Sequence, residues 1–127
     1  MPFHPLPSSL RRRALAALLG FMAFAFWAAL QPALEPPGAY GADKLIHAGT
    51  FAFLAYLGVA ASPTRRSAIL WAFSLVALGA GIEVAQSFIG REASFADLTG
   101  DCIGIAAGFT AALLTLGQIA RRLLATT

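Results

Sequence analysis

The sequence is poor in charged residues and in cysteine, and each shortage excludes a class of protein. Only 12% of its 127 residues are Asp, Glu, Lys or Arg, and 58% are hydrophobic. Soluble domains carry about 25% charged residues, so an ordinary soluble domain is excluded. The single cysteine, Cys102, rules out an intramolecular disulfide and a zinc site made of several cysteines. Cys102 lies in an apolar run, which predicts a small, buried packing residue.

Several functional motifs are also missing. The net charge of +3 would suit a nucleic-acid partner, but the basic residues form short runs beside apolar segments and no basic face. We therefore predict no nucleic-acid partner. No Gly-x-Ser-x-Gly motif and no phosphate-binding loop is present, and no cofactor is predicted. His4 lies in a Pro-rich N-terminal segment that we expect to be frayed.

Four apolar segments predict an all-α, polytopic membrane protein that forms a single domain. The predicted transmembrane helices cover residues 14–30, 45–62, 67–89 and 101–119. At 1.5 Å per residue, the first segment spans about 25 Å, which is just enough to cross the hydrocarbon core. The short turn at residues 63–66 predicts that the second and third helices are antiparallel neighbours.

The first segment has a second interpretation as a signal peptide. Arginines at 11–13 precede an apolar run, and residues 30–33 would form a poor cleavage site. The run is longer than a usual signal sequence. Its far end carries aromatic residues that suit an interfacial anchor, namely Phe21, Phe24, Phe26 and Trp27. We therefore favour a retained membrane helix.

Basic and acidic residues alternate along the chain. Seven of the nine basic residues form clusters at 11–13, 65–66 and 121–122, with no acid among them. The acids lie in the other connections and helix ends: Glu35, Asp43, Glu83, Glu92, Asp97 and Asp101. The positive-inside rule then predicts a multi-pass protein of the bacterial cytoplasmic (inner) membrane, with both termini cytoplasmic. Its immediate partner is the lipid bilayer.

Polar residues gather at the predicted outer ends of the second, third and fourth helices. They are Asp43, Lys44, His47, Glu83, Gln86, Arg91, Asp97 and Asp101. Glu83 and Gln86 stand at i, i+3 and share a helix face. Glu83 lies about 9 Å below its helix end, where a carboxylate is costly unless it pairs, takes up a proton or faces water.

This polar layer allows two interpretations. In the first, the layer is a binding or catalytic site with Glu83 and His47 as the acid/base or binding centre. The residues that bind the ligand are then Asp43, Lys44, Gln86, Arg91, Asp97 and Asp101. In the second, the layer is a packing lock, which means that its polar contacts only hold the helices together: Glu83 pairs with Arg91 or Lys44, and Gln86 bonds to a backbone carbonyl. No pair of histidines stands at i, i+4, so no metal is predicted. An ion pathway across the membrane has less support, because the cytoplasmic half of the predicted helices has no charged residue. The nearest polar residues there are Ser74 and Thr115.

The fourth segment carries glycines at four-residue spacing, Gly100, Gly104 and Gly108. Small residues at this spacing let another helix approach closely. We predict internal packing against the second or third helix, with homodimerisation as the alternative.

Three polar motifs resemble those of the VanZ-like membrane-protein family. They are Asp43-Lys44-x-x-His47, Glu83-x-x-Gln86, and Arg91 followed by Asp97-x-x-x-Asp101-x-x-Gly104, within residues 43–108. Family members often carry asparagine where Asp101 stands. The resemblance implies a small bacterial membrane protein in which the matched polar residues are important. The family's namesake is associated with low-level resistance to the glycopeptide teicoplanin, a function that we do not transfer to this chain.

Together these features predict an outward-facing polar pocket that binds or acts on a lipid-linked or amphiphilic ligand of the cell envelope. The alternative is a non-enzymatic scaffold or interaction protein whose polar layer locks the helices together. Whether any reaction is catalysed stays open.

Overall fold

The protein is an all-helical bundle of four helices. The computed structural model describes residues 3–31, 41–90 and 94–125, with only the backbone described at 42–43 and 123–125. The helices are α1 (Ser8–Ala29), α2 (Ala42–Ala61), α3 (Arg65–Phe88) and α4 (Phe95–Ala125), and no β-strand occurs in the described residues. All four are long and apolar enough to cross a membrane. The predicted all-α class and the number of helices are therefore confirmed, while the cytoplasmic position of the termini stays a prediction.

Two helices extend well beyond their predicted limits. α1 begins at Ser8 instead of residue 14, because its arginines are good helix formers and Pro7 precedes them. α4 begins at Phe95 instead of residue 101 and runs to Ala125 instead of residue 119. A hydropathy pattern ends at the first charged residues, whereas a helix continues until its backbone is capped.

α2 is the central helix, since it contacts each of the other three and has its most extensive contact with α4. α2 and α4 run parallel: Gly104 lies against the Ala48 carbonyl and Gly108 against the Ala52 carbonyl, one turn further along both helices. These glycines thus pack against another helix of the same chain, as their four-residue spacing predicts.

The turn between α2 and α3 is short and closed by its own side chains. The Ser67 N–H donates to Thr64 Oγ1 at 3.2 Å, and the Thr64 N–H donates to Ser67 Oγ, which forms a capping box. Past this turn Trp71 of α3 packs against Gly58 of α2. The two helices are antiparallel neighbours, as predicted.

The alternating helix directions give the bundle two chemically different ends. We call one the basic end; it holds the start of α1, the α2–α3 turn and the last turns of α4. We call the other the acidic end, which holds the end of α1, the start of α2, the end of α3 and the start of α4. Residues Ala29 and Gln86 meet at the acidic end, while Leu6, Val59 and Leu116 pack together at the basic end.

Two apolar clusters form the core between these ends. The cluster at the basic end consists of Leu6, Val59, Ala60, Ala68, Ala112, Leu116 and Ala120. The larger side chains lie in the second cluster, Leu18, Phe51, Leu54, Ala55, Leu75, Ile82 and Ile105. Leu18 of α1 is fully buried, so α1 packs against the other helices of the bundle.

Two single-residue predictions were wrong. Cys102 is exposed on the outer surface of α4 instead of buried, because the internal face of α4 is the one that carries Asp101, Gly104 and Gly108. The segment before α1 is packed, not frayed: Leu6 is buried, and Arg11 Nη1 donates to the Leu6 carbonyl at 2.8 Å.

Candidate functional site

The predicted polar residues that the structure describes lie at the acidic end. Glu83, Gln86 and Asp101 are buried, at 7%, 5% and 0% exposure. Lys44 is exposed, and Asp43 lies in the first turn of α2 with only its backbone described. Arg91 lies outside the described residues. The buried members of the layer come from α3 and α4, and α2 adds His47, which is only partly exposed.

His47 and Asp101 form a direct contact between α2 and α4. His47 Nδ1 lies 3.1 Å from Asp101 Oδ1, and the Asp101 side chain is almost completely buried. The close glycine packing of α4 on α2, one turn beyond this pair, holds the two helices near enough for it. When Nδ1 carries the ring proton, it donates a hydrogen bond to Asp101 Oδ1. Nε2 is then the ring atom open to another partner.

The second oxygen of Asp101 faces α3. A Cβ atom built on Gly79 would lie 2.6 Å from Asp101 Oδ2, so the missing side chain at 79 makes room for the carboxylate. Asp101 thus contacts both α2 and α3 from its position on α4.

Glu83 holds the start of α4. Its Oε2 accepts a hydrogen bond from the Ser94 N–H at 2.6 Å. Ser94 is the N-cap residue, and its Oγ accepts from the Asp97 N–H at 3.3 Å. In a usual capping box the side chain at Asp97 would bond back to the N-cap N–H. Here Glu83 of the preceding helix takes that place.

The packing lock predicts an ion pair of Glu83 with Arg91 or Lys44. Glu83 forms no ion pair with Lys44, and Arg91 lies outside the described residues. In the described part of the chain, the contact between an acidic and a basic side chain at this end is that of Asp101 with His47. The prediction for Gln86 is confirmed, because its Nε2 donates to the Ala29 carbonyl at 2.9 Å. That carbonyl belongs to the last turn of α1, where helix carbonyls lack partners within the helix.

Three buried carboxylate oxygens remain without a hydrogen-bond partner among the described residues. They are Glu83 Oε1, Asp97 Oδ1 and Asp101 Oδ2. Buried polar atoms are nearly always paired, so each unpaired acceptor indicates a missing donor. Among the described residues, the acidic end therefore has more buried acceptors than donors to pair with them.

The described cavities do not coincide with this polar layer. The two cavities described here lie elsewhere, one at the basic end and one a shallow groove between α3 and α4. Neither is lined by His47, Glu83, Gln86 or Asp101. Within the described ranges no group of three or more His, Cys, Asp or Glu side chains is arranged to hold a metal ion.

Sequence reasoning missed the roles of Ser94 and of the Ala29 carbonyl. The Ser94-x-x-Asp97 pattern is a signal for a helix start and could have moved the predicted beginning of α4 to residue 95. No sequence signal identifies the Ala29 carbonyl, since every residue carries one and only the fold selects it.

Comparisons of the chain with protein-family models, with curated proteins and with solved structures gave no match. The VanZ-like resemblance therefore depends on the three polar motifs alone. Each motif contributes a residue to the contacts at the acidic end: His47, then Glu83 and Gln86, then Asp101.

Proposed function

We propose that this chain is a VanZ-like protein of the bacterial cytoplasmic membrane that binds a lipid-linked or amphiphilic ligand of the cell envelope at its acidic end. The observation that carries the proposal is the set of three buried carboxylate oxygens that lack a donor among the described residues, on Glu83, Asp97 and Asp101. A ligand head group with amino or hydroxyl groups would supply those donors.

The proposed orientation has both termini in the cytoplasm and the acidic end outside. The described basic end carries the three arginine clusters and no acidic residue, which supports this orientation through the positive-inside rule. The acidic end would then meet the side of the membrane on which envelope components are assembled.

Two features support an amphiphilic ligand over a water-soluble one. The carboxylates lie inside helices that can cross a membrane, so their ligand must reach a depth below the helix ends. Phe88 and Phe95 are large, exposed aromatic residues at the same end, at 84% and 89% exposure. They would contact the apolar part of such a ligand, while His47 Nε2 offers one further polar contact.

The test uses the protein purified in an uncharged detergent, with dodecylamine as probe and N-dodecylacetamide as the matched probe without charge. We expect dodecylamine at ten times its Kd to raise Tm by about 5 °C. The amide should give a much smaller shift, and Glu83→Gln and Asp101→Asn should each reduce the amine effect. Ser87→Ala, an exposed position on α3, is the control that should leave it unchanged.

Equal shifts with the two probes, or a full amine effect in both carboxamide variants, would contradict the proposal. Glu83→Gln is suited to this test because its amide oxygen can still accept from the Ser94 N–H. The variant then changes the charge of the site more than its packing.

A non-enzymatic scaffold is the second candidate, favoured by the contacts that join different helices. Glu83 bonds to the start of α4, and Gln86 to the end of α1. If locking is their role, Glu83→Ala and Gln86→Ala should destabilise the protein by about 1–3 kcal/mol each without any ligand, because each removes a hydrogen bond that joins two parts of the bundle. Thermal unfolding of these variants, compared with the probe experiment, separates the two functions.

A further inference from the structure

A cavity of about 150 Å³ lies at the basic end, far from the polar site. Val59 of α2 and Ala112 and Leu116 of α4 line its apolar wall. Phe3 and His4, from the segment before α1, and Arg65, the first residue of α3, complete it. The cavity thus has an apolar interior and two side chains able to carry positive charge.

The N-terminal segment that closes the cavity is fixed in place. Leu6 belongs to the apolar cluster at this end, and its carbonyl accepts a hydrogen bond from the Arg11 guanidinium at 2.8 Å. The cavity is therefore part of the packed bundle.

The cavity's chemistry selects an amphiphilic, anionic occupant. The wall of the cavity is mostly apolar, and an apolar wall around a space of about 150 Å³ can accept apolar groups. Arg65 and His4 add a site for an anion at its margin. The described part of this end also carries the arginines at 11–13, 66 and 121–122, with no acid beside them. A soluble anion would gain nothing from the apolar wall.

We propose that this cavity binds an anionic membrane phospholipid, with part of an acyl chain inside and the phosphate on Arg65 and His4. The phosphates of a bilayer lie at the ends of helices that cross it, and basic pockets between such helices bind acidic head groups. The inference is independent of the function proposed for the acidic end and of the orientation of the chain in the membrane.

Gly117 provides a clean way to fill the cavity. It lines the wall on α4, and a Cβ atom added there would meet nothing within 4 Å. Gly117→Leu would place a side chain in the space of the acyl chain, whereas Gly117→Ala changes the helix backbone in the same way and leaves most of the space empty. For the charge, Arg65→Gln removes the lining guanidinium, and Arg66→Gln, an exposed neighbour, is its matched control.

The experiment measures the rise in Tm of the detergent-purified full chain with dioleoylphosphatidylglycerol, dioleoylphosphatidylcholine and glycerol 3-phosphate. We expect the anionic lipid to stabilise most and glycerol 3-phosphate, which has no acyl chain, to do nothing. Gly117→Leu should abolish the effect and Gly117→Ala retain it. Arg65→Gln should weaken apparent affinity about fivefold, the usual contribution of one basic residue at an anionic surface, and Arg66→Gln should weaken it less.

Three results would overturn the inference. They are equal stabilisation by the two lipids, a full lipid effect in Gly117→Leu, and stabilisation by glycerol 3-phosphate as large as that by the lipid. If Gly117→Leu does not fold, the comparison of Arg65→Gln with Arg66→Gln decides alone, and equal affinities of those two variants then contradict the proposal.

Discussion

At the scale of single residues, Asp101 and Gly79 form a size-matched pair across the α3–α4 contact. The carboxylate of Asp101 is buried, bonded to His47 through one oxygen and adjacent to Gly79 through the other. Asp101 has a short side chain with few rotamers, so it cannot move far without breaking the contact with His47. The carboxylate of Asp101 can therefore take its buried position only because residue 79 has no side chain.

This pair makes a testable prediction for stability. Gly79→Ala should destabilise the protein by about 1–3 kcal/mol, because the added methyl overlaps Asp101 Oδ2. In an Asp101→Ala background the same change should cost less, since the oxygen is gone. Gly81→Ala, where a Cβ meets nothing within 4 Å, is the control. Thermal unfolding of the four combinations gives the coupling energy, and a coupling near zero would show that the two residues do not compete for space.

At the scale of elements, the α2–α4 contact organises the acidic end. Gly104 and Gly108 bring the two backbones together, and the His47–Asp101 pair lies one turn before the first of them. Further along, Tyr56 and Thr115 bond to each other at 3.0 Å across the same two helices. Because α2 and α4 run parallel and in close contact, polar residues at corresponding positions along the two helices bond to each other.

The glycine contact predicts where a methyl group is tolerated. Gly108→Ala should destabilise by about 1–3 kcal/mol, because its Cβ overlaps the Ala52 carbonyl, which is backbone and cannot rotate away. Gly20→Ala on α1, where nothing lies within 4 Å, should be neutral or stabilising through its higher helix propensity. Unfolding in detergent measures both. If Gly108→Ala instead kept the Tm and changed only the oligomeric state, these glycines would serve the homodimer that the sequence also allows.

At the scale of the whole molecule, the outside of the bundle is apolar and its ends are polar. Large hydrophobic side chains such as Phe73 and Phe24 are exposed, at 69% and 58%, on helices that are long enough to cross a membrane. An apolar exterior is what a lipid environment requires and what water would penalise. The molecule thus has the surface of a multi-pass membrane protein.

The proposed orientation predicts which end reacts with a membrane-impermeant thiol reagent. In a Cys102→Ser background, a cysteine at Ile89, exposed at the acidic end, should be labelled in intact cells. A cysteine at Pro63, exposed in the basic-end turn, should be labelled only after the membrane is opened. The reverse pattern would place the basic end outside, and labelling of both positions in intact cells would contradict a four-helix topology with a protected turn.

The sequence predicted the number of helices, the antiparallel α2–α3 pair and a polar layer that includes Glu83, Gln86 and Asp101. It did so because the cost of exposing polar backbone or charge to lipid depends on composition along the chain. The partners of those residues were mostly not predictable. Glu83 bonds to the backbone of Ser94 instead of to Lys44, and a backbone partner has no signature in a sequence. The extent of α4 was missed because the Ser94 cap, and not hydropathy, sets its start.

Composition and spacing alone determined that this is an apolar, four-helix chain with its acids at one end and seven of its eight arginines at the other. Only the tertiary structure decided that Asp101 contacts both His47 and Gly79, and that three buried carboxylate oxygens lack donors in the part of the chain that the structure describes. It also decided that the N-terminal segment closes a cavity at the basic end. The physical reason is the same in each case: hydrophobicity along a chain fixes which segments leave water, while distances between side chains on different helices depend on how their backbones pack.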